Sequence, residues 1–189
     1  MKISTARLRF AVVPLFALCF VAGVASAQSP LVSNSQSTPL SLIGQESLTL
    51  ACTPTAGVTF PNTPLGSTVS GDNPVSCDVT WNLSATRTNL TLFSGFADPT
   101  TALANGANLI PSSAVSVSWN GGAAVPCTTT PSASGTGIAA GGGCGDSGNL
   151  LSTNFNSTST ETLALSLNLP ATLNAGTYSG TLLEIAVAQ

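Results

Sequence analysis

The sequence predicts an all-β chain whose antiparallel sheets pack as a β-sandwich, and three observations carry that expectation. Apolar residues recur at every second position in several short runs, the pattern of strands with one buried face. Turn-forming residues punctuate the chain at roughly the 8–12-residue spacing of such folds, which divides it into roughly seven to ten short strands. No apolar stripe of helical period is long enough to cover a parallel sheet.

The first 27 residues are set aside before the fold is considered. Lys2, Arg7 and Arg9 precede the apolar run Phe10 to Val24, and Ala25-Ser26-Ala27 offers a small-residue cleavage site. This is the layout of a secretory signal peptide. The alternative is a retained membrane helix, for which the apolar run is short and poorly flanked. A cleaved chain would start at Gln28. Residues 28–44, rich in Ser, Asn and Pro, read as a flexible leader, with Leu40 and Leu42 alternating near its end. Residues 45–189 then form one domain, long enough to bury a single core.

Loss of the signal changes the electrostatics. Of the four basic residues only Arg87 remains against seven acids, so the formal charge moves from −3 to −6. A chain with one cation cannot neutralise a run of phosphates, which excludes nucleic acid and attraction to anionic lipid. Hydrophobic, β-branched residues are too abundant and too regularly placed for the low charge to mean disorder.

Taken in order, Ser47 to Cys52 reads as a first strand with Leu48, Leu50 and Cys52 in phase. Val58 and Phe60 suggest a short second strand, closed by Pro61 and Pro64. Val75 to Leu83 is the clearest strand: Val75, Cys77, Val79, Trp81 and Leu83 share one face. Leu90 to Phe96 is a further apolar run. Asp98-Pro99 opens a stretch to Ala104 that would make one helical turn. Val115, Val117 and Trp119 predict a strand, Asn120-Gly121-Gly122 a tight turn, and Ala123 to Cys127 the return. The segment 128–149, mostly Thr, Ser, Gly and Ala, reads as a loop that cannot order itself.

The last stretch closes the pattern. Leu163, Leu165, Leu167 and Leu169 alternate with small or polar residues, Pro170 to Gly176 breaks the run, and a second β-rich run begins at Thr177. The pair is expected to form a terminal hairpin. Within its second arm the apolar phase flips: Tyr178, Gly180 and Leu182 share one face, Leu183, Ile185 and Val187 the other. A β-bulge that leaves Glu184 in solvent is the favoured account, and burial of both faces is the alternative.

Four cysteines follow the signal: Cys52, Cys77, Cys127 and Cys144. An even number in an exported chain points to disulfides, with three connectivities open. The nearest-neighbour pairing, Cys52–Cys77 and Cys127–Cys144, is favoured. A four-cysteine zinc site is the competing reading, weakened by the lack of any C-x-x-C pair.

Function is constrained chiefly by what is missing. Without His anywhere and without Lys after the signal, neither a Ser-His-Asp triad nor a Ser-Lys dyad can be assembled, and histidine-based metal centres are ruled out. A carboxylate pair for glycoside hydrolysis would need Asp72 with Asp78, or Glu161 with Glu184, to meet in space. Each of these reads as a turn residue or as an outward strand position. The Gly141 to Gly148 stretch lacks the lysine of a phosphate-binding loop, and Asp146 with Asn149, or Asp72 with Asn73, falls far short of a calcium-loop pattern. Trp81 and Trp119 could stack on sugars if exposed, but their phase argues for core positions. No catalytic, cofactor or metal site is therefore expected.

With Cys52, Cys77 and the ending Ala175-Gly176-Thr177-Tyr178-Ser179-Gly180-Thr181-Leu182, the chain resembles secreted bacterial immunoglobulin-like proteins of the spore coat U and fimbrial-subunit type, mainly over residues 48–83 and 161–188. The resemblance implies an immunoglobulin-like sandwich, an early cysteine bridge, and action through assembly instead of a catalytic site. The expectation is thus a non-enzymatic, extracytoplasmic protein of the cell envelope, structural or adhesive, whose partners are further copies of itself or other envelope proteins. The alternative is a monomeric binding module for a glycan or envelope protein, using the 128–149 loop.

Overall fold

The computed structural model describes residues 44–189; the expected signal peptide and almost all of the expected leader lie outside the described residues. Among those residues are eleven strands: β1 (Ser47–Thr53), β2 (Thr68–Ser70), β3 (Val75–Asn82), β4 (Leu90–Gly95), β5 (Leu103–Asn105), β6 (Asn108–Ile110), β7 (Val115–Trp119), β8 (Ala124–Pro126), β9 (Gly143–Asp146), β10 (Asn156–Asn168) and β11 (Leu183–Ala188). Their one helical element is a short 3₁₀ turn, Ser112–Ala114.

All the pairings are antiparallel. One sheet runs β1-β3-β10-β7-β8, with β2 also on β10, and a second runs β11-β4-β9. The alternation read from the sequence decides which side chains enter the space between them. Val75, Cys77, Val79 and Trp81 of β3 meet Leu163, Leu165 and Leu167 of β10, Val115 and Val117 of β7, and Leu90 and Leu92 of β4. Most of these are less than a tenth exposed, and burial of each large aliphatic contributes about 1.5–3 kcal/mol before entropy is counted. The outer face of the larger sheet is the polar complement: Thr49, Thr80 and Thr158 lie abreast across three strands.

Several expectations hold. Trp81 is 4% exposed, and its indole N–H donates to the Asn154 carbonyl at 3.1 Å. The turn after β7 places Asn120 and Gly121 at positive φ, and the Gly122 N–H donates to the Trp119 carbonyl at 2.7 Å, closing the expected tight turn. Both predicted disulfides form. Cys52 and Cys77 face each other across β1 and β3, and Cys127 joins Cys144. Bridged sulfurs leave no thiolates for zinc.

Others are corrected. Val58 and Phe60 do not form a strand: Pro54, Pro61 and Pro64 remove ladder donors, and the extended segment lays both side chains against the core. Asp72 pins it, accepting the Thr59 N–H at 2.9 Å. No helical turn follows Pro99. The Asp98 carboxylate instead accepts from the Thr100 N–H at 2.8 Å and its hydroxyl at 2.7 Å, a local turn that competes with a helix. The chain then enters the β5–β6 hairpin.

The predicted terminal hairpin is absent. β10 and β11 lie in different sheets, because the Pro170–Leu182 connection carries the chain over the edge of the sandwich and pairs on its way with β5 at Ala104 and Ser179. There is also no bulge at Leu182–Leu183, since β11 keeps an unbroken register with β4 from Leu183 to Ala188. The phase flip reflects burial of both faces. Leu183, Ile185 and Val187 pack outward against Phe93, Ala133 and Ile138. Ala133 and Ile138 come from the 128–149 segment, which is ordered as a flap over the outer face of the smaller sheet.

Candidate functional site

The two long sides of the sandwich are built differently. On one side β8 and β9 are the sheet edges, and the Cys127–Cys144 bridge, buried at both ends, ties them together. The Trp119 indole N–H donates to the Cys144 carbonyl at 3.1 Å on the same side. On the other side the edges are β1 and β11, and no described strand pairs with the second edge of either.

One contact closes part of that open side. Arg87 donates from Nε and Nη2 to the Glu46 carboxylate at 3.1 and 2.6 Å, and from Nη1 to the Ala188 carbonyl at 3.3 Å. It therefore clasps the start of β1 to the end of β11. The guanidinium hydrogen bonds, reinforced by the Ser84 N–H, pull the Glu46 carboxyl down to about 2.

Away from this clasp the sheets separate. Between them lies a cavity of about 440 Å³, lined by Cys52, Val58, Phe60, Leu103, Leu182 and Glu184, with Val115 and Leu165 on its floor. The small side chains of Ala186 and Ala188, which pack toward the main core, leave the adjoining part of the interface thin. The hydrogen-bonding edge of β11 is open beside it. Asn89 and Gln189 exchange both backbone bonds, so ladder parity directs the N–H and C=O groups of residues 183, 185 and 187 to β4. Those of Glu184 and Ala186 point out of the sheet.

Glu184 is thus an inward residue, in phase with Leu182. Sequence reasoning placed it in solvent because the apolar residues on its other side were taken for the core face. Burial pushes its carboxyl above the ordinary glutamate value, and no described residue donates to it. Across the ladder from it is Ser94, fully buried, with its hydroxyl oxygen unpaired.

The remaining acids are occupied in structure. Glu161, expected on an outward face, is 4% exposed and accepts from Asn120 Nδ2 and the Ser159 hydroxyl, both at 2.6 Å. Asp78 accepts from the Thr160 hydroxyl on the outer sheet face, and Asp146 from the Gly148 N–H at 2.9 Å within its own turn. Glu161 and Glu184 lie in opposite sheets, and Asp72 and Asp78 each serve separate local bonds. Neither of the two pairs considered for glycoside hydrolysis shares a hydrogen-bonding partner.

No protein-family model, curated protein or solved structure matches the chain. The site is therefore read from its geometry: an unpaired strand edge beside an apolar cleft. An exposed edge of this kind is a template for a further strand.

Proposed function

We propose that this is a non-catalytic protein of the cell envelope, structural or adhesive, that assembles by accepting an extended segment from another copy along β11. The observation that carries the reading is the open β11 edge beside an apolar cavity. Main-chain hydrogen bonds to such an edge supply affinity, and pockets for alternate side chains supply specificity. In this reading the two sheets are those of an immunoglobulin-like sandwich that lacks its last strand, in line with the resemblance to fimbrial subunits. The donor is the 28–44 leader, which ends immediately before β1. Two disulfides fit an oxidising, extracytoplasmic setting. Ala133 and Ile138 anchor the 128–149 segment to the smaller sheet, which counts against its acting as a free binding loop.

The test is the state of assembly of the protein in envelope and medium fractions of its native host, run on non-reducing gels with and without boiling. A heat-sensitive ladder that disappears when residues 28–44 are deleted is the expected result. A ladder undiminished by the deletion, or a single soluble monomer from the intact chain, refutes strand addition.

A further inference from the structure

The cavity between the sheets has braced walls. On one side Val58 rests on Gly71, where an added Cβ would lie 2.4 Å from Val58 Cγ1. Thr59 and Asp72 hold the same segment, the Asp72 N–H donating to the Thr59 carbonyl and the Thr59 N–H to the Asp72 carboxylate, both at 2.9 Å. On the other side Ser179 and Ala104 exchange backbone bonds at 2.8 and 3.1 Å, and Gly180 lies so close to the Ala102 carbonyl that no side chain would fit between them. The volume, about 440 Å³, falls within the range of small-molecule sites, about 300–1,000 Å³. Its lining has one sign of charge. Val58, Phe60, Leu103, Val115, Leu165 and Leu182 supply apolar surface, and among the described residues the one ionisable group that lines it is the half-buried Glu184 carboxylate.

We propose that this cavity is a binding site for a small amphipathic cation, an alkylammonium whose apolar body lies between the sheets and whose charged head donates to the Glu184 carboxylate. Charge complementarity selects the head. Arg87, the one cation among the described residues, is engaged by Glu46 and the Ala188 carbonyl, so an anion finds no partner in the cavity. A neutral apolar molecule would cover the carboxylate without pairing it, which is costly. An ammonium compensates that charge with N–H donors, of which it has three. Thr55 and Thr181, exposed residues that also border the cavity, carry hydroxyl oxygens suited to the donors Glu184 does not take. The net negative charge of the chain favours the approach of cations from solution. The site goes beyond strand addition and does not depend on it.

The experiment is equilibrium dialysis of three probes, hexylammonium, hexanol and hexanoate, which share an apolar body and differ in the charge of the head. Monomer of the full chain, isolated by size exclusion, keeps assembly out of the readout. Hexylammonium is expected to bind about tenfold or more tighter than hexanol, the effect of one hydrogen bond to a charged group, and hexanoate most weakly. Glu184→Gln keeps the size of the side chain and should remove the advantage of the ammonium while leaving hexanol binding unchanged. Leu182→Trp, which puts a larger side chain into the cavity, should weaken hexylammonium and hexanol alike; if that variant does not fold, Glu184→Gln decides alone. Equal affinity for the three heads, a preference for ammonium that persists in Glu184→Gln, or no binding at millimolar probe overturns the proposal and leaves strand addition standing.

Discussion

Removal of the Cys127–Cys144 bridge by Cys127→Ala/Cys144→Ala tests how the flap is held. The bridge closes a loop with a sequence separation of 17, and the chain-entropy relation gives about 3 kcal/mol for its loss at 25 °C. A domain of this size has about 5–15 kcal/mol in total, so the variant should still fold. With a urea dependence of about 2 kcal/mol per molar, the unfolding midpoint should fall by about 1.5 M. The two tryptophans separate local from global effects. Trp119 bonds directly to the Cys144 carbonyl and should report loosening before unfolding, whereas Trp81 is anchored at Asn154 and should change only in the main transition. A released flap also uncovers Phe93, Leu183, Ile185 and Val187, so a hydrophobic dye should bind the variant without urea. A midpoint within a few tenths molar of wild type, with no dye binding, would refute the view that the bridge holds the flap on the sheet.

Other predictions probe the same face and the groove. Gly95→Ala would bring a Cβ to within 2.5 Å of Ile138 Cγ2 and 2.7 Å of the Gly142 carbonyl; it should cost about 1–3 kcal/mol in urea unfolding and raise dye binding, and a neutral result would mean that the flap is not pressed on β4. Because burial raises the Glu184 carboxyl, its protonated form is favoured in the folded chain. The contribution of Glu184 to stability should then be greatest below the ordinary value of 4.5 and decline as pH rises through its raised value. Glu184→Gln should flatten that decline, and identical pH profiles would place Glu184 in solvent. Glu46 behaves oppositely: the contribution of its bond to Arg87 is present above pH 4.5 and is lost as pH falls toward about 2. Being exposed, the pair should be salt-sensitive and weak, and Arg87→Ala should reduce this acid dependence to what the Ser84 N–H sustains.

Legibility in the sequence followed the reach of the pattern used. Strands with one apolar face, such as 75–82 and 115–119, could be read because burial on one side imposes period 2. The disulfides could be paired because the nearest cysteines are also nearest in space. Which strands share a sheet could not be read: Pro170 to Gly176 looks like a hairpin turn, and only the pairing of Ser179 with Ala104 shows that the chain crosses over. Period 2 also fails where both faces are covered. β4 is buried throughout, and the inward set of β11 is Glu184, Ala186 and Ala188, so its larger apolar residues marked the wrong side. The groove was hidden for the same reason, being defined by small residues and an absent neighbour. Glu161 was misplaced because the carboxylate was assumed to seek water, whereas Asn120 and Ser159 supply its donors inside.

The position of β10 in the chain bears on how the protein is made. This strand is the middle of the larger sheet, yet it starts at Asn156, long after its neighbour β3 ends at Asn82. At usual rates of synthesis the intervening stretch of about 75 residues takes about 4–15 s to appear. During that time β1 and β3, bridged or not, form only a ribbon with one apolar face uncovered. Pairings between distant segments are also the slow ones in folding. The larger sheet therefore stays incomplete until β10 has been made, which leaves the apolar face of β3 open for most of synthesis.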